Sequence, residues 1–142
     1  GYPTLLRGYS DGSFSANECV GSTATSCDVY NNLFGSRFAV LNLEYRVPLL
    51  GFFGIVPSAG APPLDVALFF DAGVAWGEGT SPRLSCSGTD QLLVNCQEVV
   101  SSFGIAGRIN MLGFLIMELD FVRPNNRPEK GWFFQFVLQP AF

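Results

Sequence analysis

Five stretches of this chain alternate apolar and polar side chains with a period of two, and few folds accept that pattern. Successive side chains of a strand point to opposite faces, so each stretch carries one oily face and one polar face. From Arg37 to Val47, Ala39, Leu41, Leu43, Tyr45 and Val47 oppose Asn42, Glu44 and Arg46. From Leu64 to Trp76, the oily Leu64, Val66, Leu68, Phe70, Ala72, Val74 and Trp76 oppose Asp65, Ala67, Phe69, Asp71 and Gly73. Ser101 to Met111 sends Phe103, Ile105, Ile109 and Met111 one way, and Ser102, Gly104, Ala106, Arg108 and Asn110 the other. From Phe114 to Arg123, Leu115, Met117, Leu119 and Phe121 oppose Glu118 and Asp120. From Gly131 to Phe142, Trp132, Phe134, Phe136, Leu138 and Phe142 oppose Gln135 and Gln139. These lengths suit tilted transmembrane strands of roughly 9–11 residues with short extensions. A one-residue slip would exchange the two faces, so register is tightly specified.

The solvent that meets the oily faces is set by charge. Only 14% of the 142 residues are charged, against roughly 25% in a typical soluble chain, while 48% are hydrophobic and 14 are Phe. That balance asks for an apolar solvent or a very large core. A membrane helix is excluded, because the longest charge-free stretch, Val47 to Leu64, is broken by Pro48, Pro57, Pro62, Pro63 and several glycines. Within the strands, Glu44, Arg46, Asp65, Asp71, Arg108, Glu118 and Asp120 lie on polar faces; the oily faces carry only Arg37 and Arg123, each at a strand end. An Arg at the middle of a lipid-facing strand costs about 2–4 kcal/mol and little near the interface. The pattern predicts an all-β, antiparallel transmembrane sheet with its oily faces in lipid. A soluble β-sandwich with those faces packed inward is the competing fold.

Alternating strand direction sorts the connections into two sets. Residues 1 to 35, 77 to 100 and 124 to 130 fall on one side, called outer; residues 48 to 63 and the turn at Leu112 and Gly113 fall on the other. Cys19, Cys27, Cys86 and Cys96 all land on the outer side, where disulfides persist. Four cysteines allow three pairings and the sequence selects none of them; Cys19 with Cys27 and Cys86 with Cys96 is the simplest. Trp76 and Trp132 sit at outer strand ends, as an interfacial aromatic girdle requires.

Several kinds of chemistry drop out. With no histidine, Ser-His-Asp triads, Cys-His pairs and nearly all catalytic zinc sites are unavailable. The cysteine spacings are not those of a metal site, and nothing calls for a cofactor. A net charge of -4 with eight scattered Lys and Arg argues against a nucleic-acid partner. Because position 1 is Gly and five strands are too few to close a barrel, the chain is expected to be part of a longer polypeptide.

Specific motifs narrow the reading. Leu6-Arg7-Gly8-Tyr9 is followed by Ala39-Val40-Leu41-Asn42-Leu43-Glu44-Tyr45-Arg46-Val47-Pro48, then by Ala67-Leu68-Phe69-Phe70-Asp71-Ala72-Gly73, and the chain ends on Phe142. In this order they resemble the carboxy-terminal part of the outer-membrane assembly-factor and surface-antigen superfamily, the BamA/TamA-like barrels, over essentially the whole chain. The resemblance implies a bacterial outer-membrane location and the last five strands of a sixteen-stranded barrel. Residues 1–35 would form an extracellular loop folded into the lumen and residues 36–142 the five strands, with the rest of the barrel and any periplasmic domain absent. It implies a non-enzymatic role in inserting or translocating proteins, with unfolded outer-membrane proteins as substrates and lipid and the remaining strands as neighbours. The alternative is a barrel anchoring an amino-terminal propeller or enzyme domain. Glu44 and Asp71 occupy the positions of the family's acidic partners of Arg7. Phe134, Phe136 and Phe142 resemble its terminal insertion signal, from which Pro140 departs.

The residues support part of this independently. The polar faces carry two positive and five negative charges, a net of -3, so a guanidinium brought to them would engage carboxylates. Gly8 permits close backbone approach, and Tyr9 offers a ring to pack and a hydroxyl to satisfy.

Overall fold

The computed structural model describes residues 6–10, 13–14, 32–49, 64–86, 96–111, 114–127 and 130–140. Its elements are all strands: β1 (Arg37–Pro48), β2 (Leu64–Trp76), β3 (Ser81–Arg83), β4 (Cys96–Glu98), β5 (Val100–Met111), β6 (Leu115–Pro124) and β7 (Phe133–Pro140). Among the described residues no helix is long and apolar enough to cross a membrane. The five long strands make one antiparallel sheet in the order β1-β2-β5-β6-β7, with β1 and β7 as its edges among the described residues. They correspond to the five alternating stretches. β2 has the expected bounds, β5 begins one residue earlier at Val100, and β6 runs to Pro124. The last strand is shorter than Gly131 to Phe142: Trp132 precedes it, and Phe142 lies outside the described residues.

The sheet is packed inside out relative to a soluble protein. Leu41, Leu43, Tyr45, Leu68, Phe70, Ile105, Leu119, Phe134, Phe136 and Leu138 are exposed, whereas Asp71, Ser102, Glu118 and Asp120 are buried. The expected polar faces therefore form the covered, inner face, and the sandwich alternative, which needs the oily faces buried, is not what the chain builds. Arg37 and Arg123 remain exposed at strand ends. Register lines up the inner face across the sheet: Asn42, Asp71, Ser102 and Pro124 form one row, and Arg46, Ala67, Ala106, Asp120 and Gln135 another. On the oily side, near the outer ends of β5–β7, Trp132 stacks on Phe121 at 4.7 Å and meets Phe103 edge-on at 5.4 Å. The amphipathic indole of Trp132 thus sits at a strand end, as an interfacial belt requires.

The small inner-face side chains make room for a covering segment. Ala67, Phe69, Ala106 and Val122 form one buried cluster against Phe133. Leu6, Tyr9 and Val100 form a second, with Phe14, Leu33 and Val40 packed around it. Gly73 is needed because a Cβ there would lie 2.6 Å from Leu6 Cδ1.

One element lies outside the sequence-based expectation. β3 and β4 pair in parallel in the outer connection between β2 and β5, with Ser81 opposite Cys96 and Arg83 opposite Glu98. Three-residue strands, one containing Pro82, show no readable period. The Cys86–Cys96 disulfide closes this excursion over a separation of 10 residues; Cys19 and Cys27 lie outside the described residues.

The inside-out packing is testable. Leu68, paired with Tyr45 and Ile105 in mid-sheet, is 58% exposed. In the intact barrel, Leu68→Arg is expected to lower stability by about 2–4 kcal/mol in lipid, measured by denaturant unfolding in liposomes. A neutral effect, as for a solvated surface, would contradict a lipid-facing position.

Candidate functional site

The site is built where residues 6–10, 13 and 14 lie across the inner face. A turn from Leu6 to Tyr9, closed by the Tyr9 amide donating to the Leu6 carbonyl at 3.3 Å, places Gly8 at φ 87°. That left-handed conformation is the third position of a type II turn, where Gly fits without strain. A Cβ on Gly8 would also lie 2.8 Å from Val122 Cγ1. The turn thus requires Gly on two counts, and it aims the preceding Arg7 at the wall of strands.

Arg7 reaches Asp71 on β2 with a two-pronged contact: Nε donates to Oδ2 at 2.7 Å and Nη2 to Oδ1 at 3.0 Å. The Arg7 amide adds a third bond to Oδ2 at 3.3 Å. Asn42 on β1 donates to Asp71 Oδ1 at 2.9 Å, so the fully buried carboxylate is held from two sides. The guanidinium carbon lies over the Phe69 ring, 3.7 Å from its centroid. Parity placed Phe69 on the polar face, where an aromatic ring breaks the pattern; the ring forms the floor of the arginine seat.

The second acidic partner is not the expected one. Glu44 pairs with Arg46 at 3.0 Å and with Arg108 at 3.2 Å. Glu118 on β6 instead approaches Arg7 Nη1 at 3.7 Å while accepting from Arg108 Nε at 2.7 Å. The physical reason lies in neighbouring cations: Arg46 sits two residues from Glu44 on the same strand face and Arg108 reaches across to it, so its charge is already compensated. The four carboxylates Glu44, Asp71, Glu118 and Asp120 and three guanidiniums form one inner-face network. Asp120 is its least satisfied member, fully buried with neither oxygen hydrogen-bonded among the described residues.

The rest of the turn is fastened to other strands. The Ser102 hydroxyl on β5 donates to the Arg7 carbonyl at 2.6 Å, and the Gly8 amide donates to Gln135 Oε1 on β7 at 2.9 Å. The Tyr9 hydroxyl donates to the Ser101 carbonyl at 2.8 Å and accepts from the Asn126 amide at 3.3 Å. Burial pushes the Tyr9 hydroxyl up to about 12, so it stays a donor throughout the physiological range. Arg127, only 2% exposed, donates to the Gly8 carbonyl at 2.7 Å and to the Ser13 hydroxyl and carbonyl at 2.8 and 2.7 Å, and covers the Phe14 ring. Lys130 also donates to the Ser13 carbonyl.

The structure brings Leu6, Arg7, Gly8, Tyr9 and Asp71 together and sets Glu44 one ion pair away. Phe134 and Phe136 sit on the exposed face of β7, away from this cluster. Sequence reasoning did not single out Ser102, Gln135, Glu118 or Arg127 as contacts of the loop. The first three were legible as polar-face residues; Arg127 lies in an irregular segment with no period. Among the described residues no group of His, Cys, Asp and Glu could hold a metal ion.

The Omp85 superfamily domain matches residues 1–141 of this chain. No curated protein and no solved structure matches it.

Two outcomes follow from this geometry. Arg7→Ala strands the buried Asp71 and is expected to cost the intact barrel about 3–5 kcal/mol, more than Asp71→Asn. The double variant should recover part of the loss, and Arg7→Ala with Glu44→Gln should couple more weakly; denaturant unfolding gives each energy, and equal coupling in both cycles would contradict the pairing. The second outcome concerns Tyr9, whose raised value favours the neutral form in the folded state. Its stabilisation is fully present below the unfolded value of about 10 and is lost as pH rises toward about 12. Tyr9→Phe should remove that component from the alkaline unfolding profile.

Proposed function

The chain belongs to the Omp85 superfamily, and on that premise we propose that it is the carboxy-terminal part of an outer-membrane barrel that inserts or translocates other proteins, in the manner of the BamA/TamA-like members. At the level of the superfamily, these are outer-membrane proteins of Gram-negative-type bacteria and organelles, generally transport or assembly factors rather than enzymes. In this reading residues 1–35 are the extracellular loop that folds into the lumen, residues 36–142 are the last five of sixteen strands, and strands upstream pair with β1 and β7. Phe134, Phe136 and Phe142 form the terminal recognition signal for the barrel's own insertion, and the substrates are unfolded outer-membrane proteins. The working part is non-enzymatic: the lumen loop holds the barrel in a defined shape while substrate engages it.

The observation that carries this reading is the docking of the Leu6–Tyr9 turn through Arg7 on a fully buried Asp71. A barrel serving only as an anchor needs an apolar outer band; it has no need of a charge-assisted contact, backed by a cation–π stack, to hold a loop against its inner wall. The test is reconstitution of the full-length protein in liposomes with an unfolded outer-membrane barrel protein added from denaturant. Faster insertion than in empty liposomes is expected, with Arg7→Ala reducing the acceleration at least about tenfold, the rate equivalent of losing one charge-assisted hydrogen bond. Equal rates with and without the protein would overturn the proposal in favour of an anchor.

A further inference from the structure

Asp71 explains why Arg7 stays on the wall, but it does not explain how far the turn reaches. Its contacts span four of the five long strands: Asp71 and Phe69 on β2, Ser101 and Ser102 on β5, Glu118 on β6 and Gln135 on β7. The contacts on the β7 side are as numerous as those on the β2 side. Gln135 receives the Gly8 amide, and Arg127 and Lys130, from the connection leading into β7, converge on the Gly8 and Ser13 carbonyls. Arg127 is almost wholly buried, so its bonds are made in a site where water offers little replacement. Lys130 covers the Phe133 ring, the first residue of β7, at 4.8 Å.

Among the described residues β7, like β1, is an edge of the sheet, and its ladder with β6 includes Pro140, which has no amide hydrogen to donate, opposite Leu115. A strand strapped across the inner face by a loop that is anchored on β2 shares its position with that loop.

We propose that Arg127 and Gln135 are positioning residues that fasten the Arg7 loop to the terminal strand, so that undocking of the loop and displacement of β7 are one coupled event. This rests on the docked-loop reading above and extends it. The coupling is reciprocal by thermodynamic linkage: whatever moves β7 off β6 favours release of the loop, and release of the loop loosens β7. The loop would then report the state of the terminal strand to the lumen, across the width of the sheet.

Arg7 supplies its own probe. With its guanidinium on Asp71, the Arg7–Gly8 peptide bond is closed to trypsin, and cleavage there measures the population of the undocked loop when opening is fast relative to cleavage. The experiment uses the full-length protein in liposomes with the outer side exposed. Asp71→Asn serves as the reference, since it cuts the β2 anchor directly. Arg127→Ala and Gln135→Ala are each expected to accelerate cleavage at Arg7–Gly8, Arg127→Ala by at least about tenfold, the equivalent of one hydrogen bond to a charged group. Arg127→Lys should fall between the two, because a single ammonium cannot reach both carbonyls as the fork does. If Arg127→Ala fails to fold, as judged by heat-modifiability, Gln135→Ala and Arg127→Lys carry the test. Acceleration by Asp71→Asn with none from the other variants leaves the docked loop intact as a reading and overturns its connection to β7.

Amide exchange provides the readout that a merely local role would not move. Asp71→Asn touches only β2, the loop and Asn42 of β1. Coupling through the loop predicts that protection falls about tenfold in residues 133–140, and by less in β1, although β1 is the strand next to the substitution. A loss confined to β1 and β2 would overturn the proposal.

Discussion

A carboxylate with no exposure to solvent cannot remain ionised without a partner, and the arrangement of this sheet depends on how that requirement is met at Asp71. The partner is supplied by Arg7, 64 residues away in sequence. Because the guanidinium sits on a turn rather than on a strand, compensating the charge also fixes a loop. The geometry makes the contact specific more than it makes it strong. Desolvating both ions offsets much of their attraction, so the pair adds little net stability while strongly disfavouring any position of the loop that separates them. Gly8 and Phe69 belong to the same constraint. One permits the turn that aims Arg7, and the other presents a ring face to the guanidinium, so that its plane and its edge are both engaged.

The surrounding charges follow from the same accounting carried across the inner face. Glu44, Arg46, Arg108 and Glu118 compensate one another from three strands, and only Arg7 joins this group to Asp71. Asp120 has no such partner among the described residues, although it lies in the same row as Ala67, Ala106 and Gln135. The two alanines of that row are buried in the cluster that holds Phe69, the ring on which Arg7 rests. The exposed face obeys a different rule. Its apolar side chains stay largely exposed even where rings such as Trp132 and Phe121 touch, a sensible arrangement only where lipid completes the packing.

Much of this was legible in the sequence, because a two-residue period reports which way each side chain points. Leu64–Trp76 was defined to the residue, since every second position from Leu64 to Trp76 is apolar and turn residues flank it. The same parity identified Asp71 and Glu44 as neighbours on one face. It could not say which of them Arg7 would choose, because that depends on which other cations reach each carboxylate. Arg46 is visible as a neighbour in sequence, whereas Arg108 becomes one only through the sheet order. Ser102, Glu118 and Gln135 were on the correct face, but contact with the loop is a matter of depth and strand tilt, which periodicity does not encode. β3, β4 and Arg127 were invisible for another reason: short or irregular segments carry no period, and their positions are set by partners distant in sequence.

The loop also distributes stability unevenly across the sheet. Its hydrogen bonds and ion pairs go to β2, β5, β6 and β7, whereas at β1 Val40 packs around the Leu6–Tyr9 cluster and Asn42 shares Asp71. Both edges present unpaired backbone groups, and in lipid such groups must find strand partners. The two edges are therefore not equivalent. At β1, attachment to the sheet rests on the ladder with β2, on Asn42 and the Glu44–Arg108 pair, and on the apolar packing of Val40. At β7, the described ladder with β6 runs to Pro140, and in the coupling proposed above the strand's place is shared with the loop. If the two edges meet when the barrel closes, the junction joins one strand held by the wall to another held partly from inside the lumen. Weakness at that junction would then be set less by the hydrogen bonds across it than by a turn of four residues docked on the opposite side of the sheet.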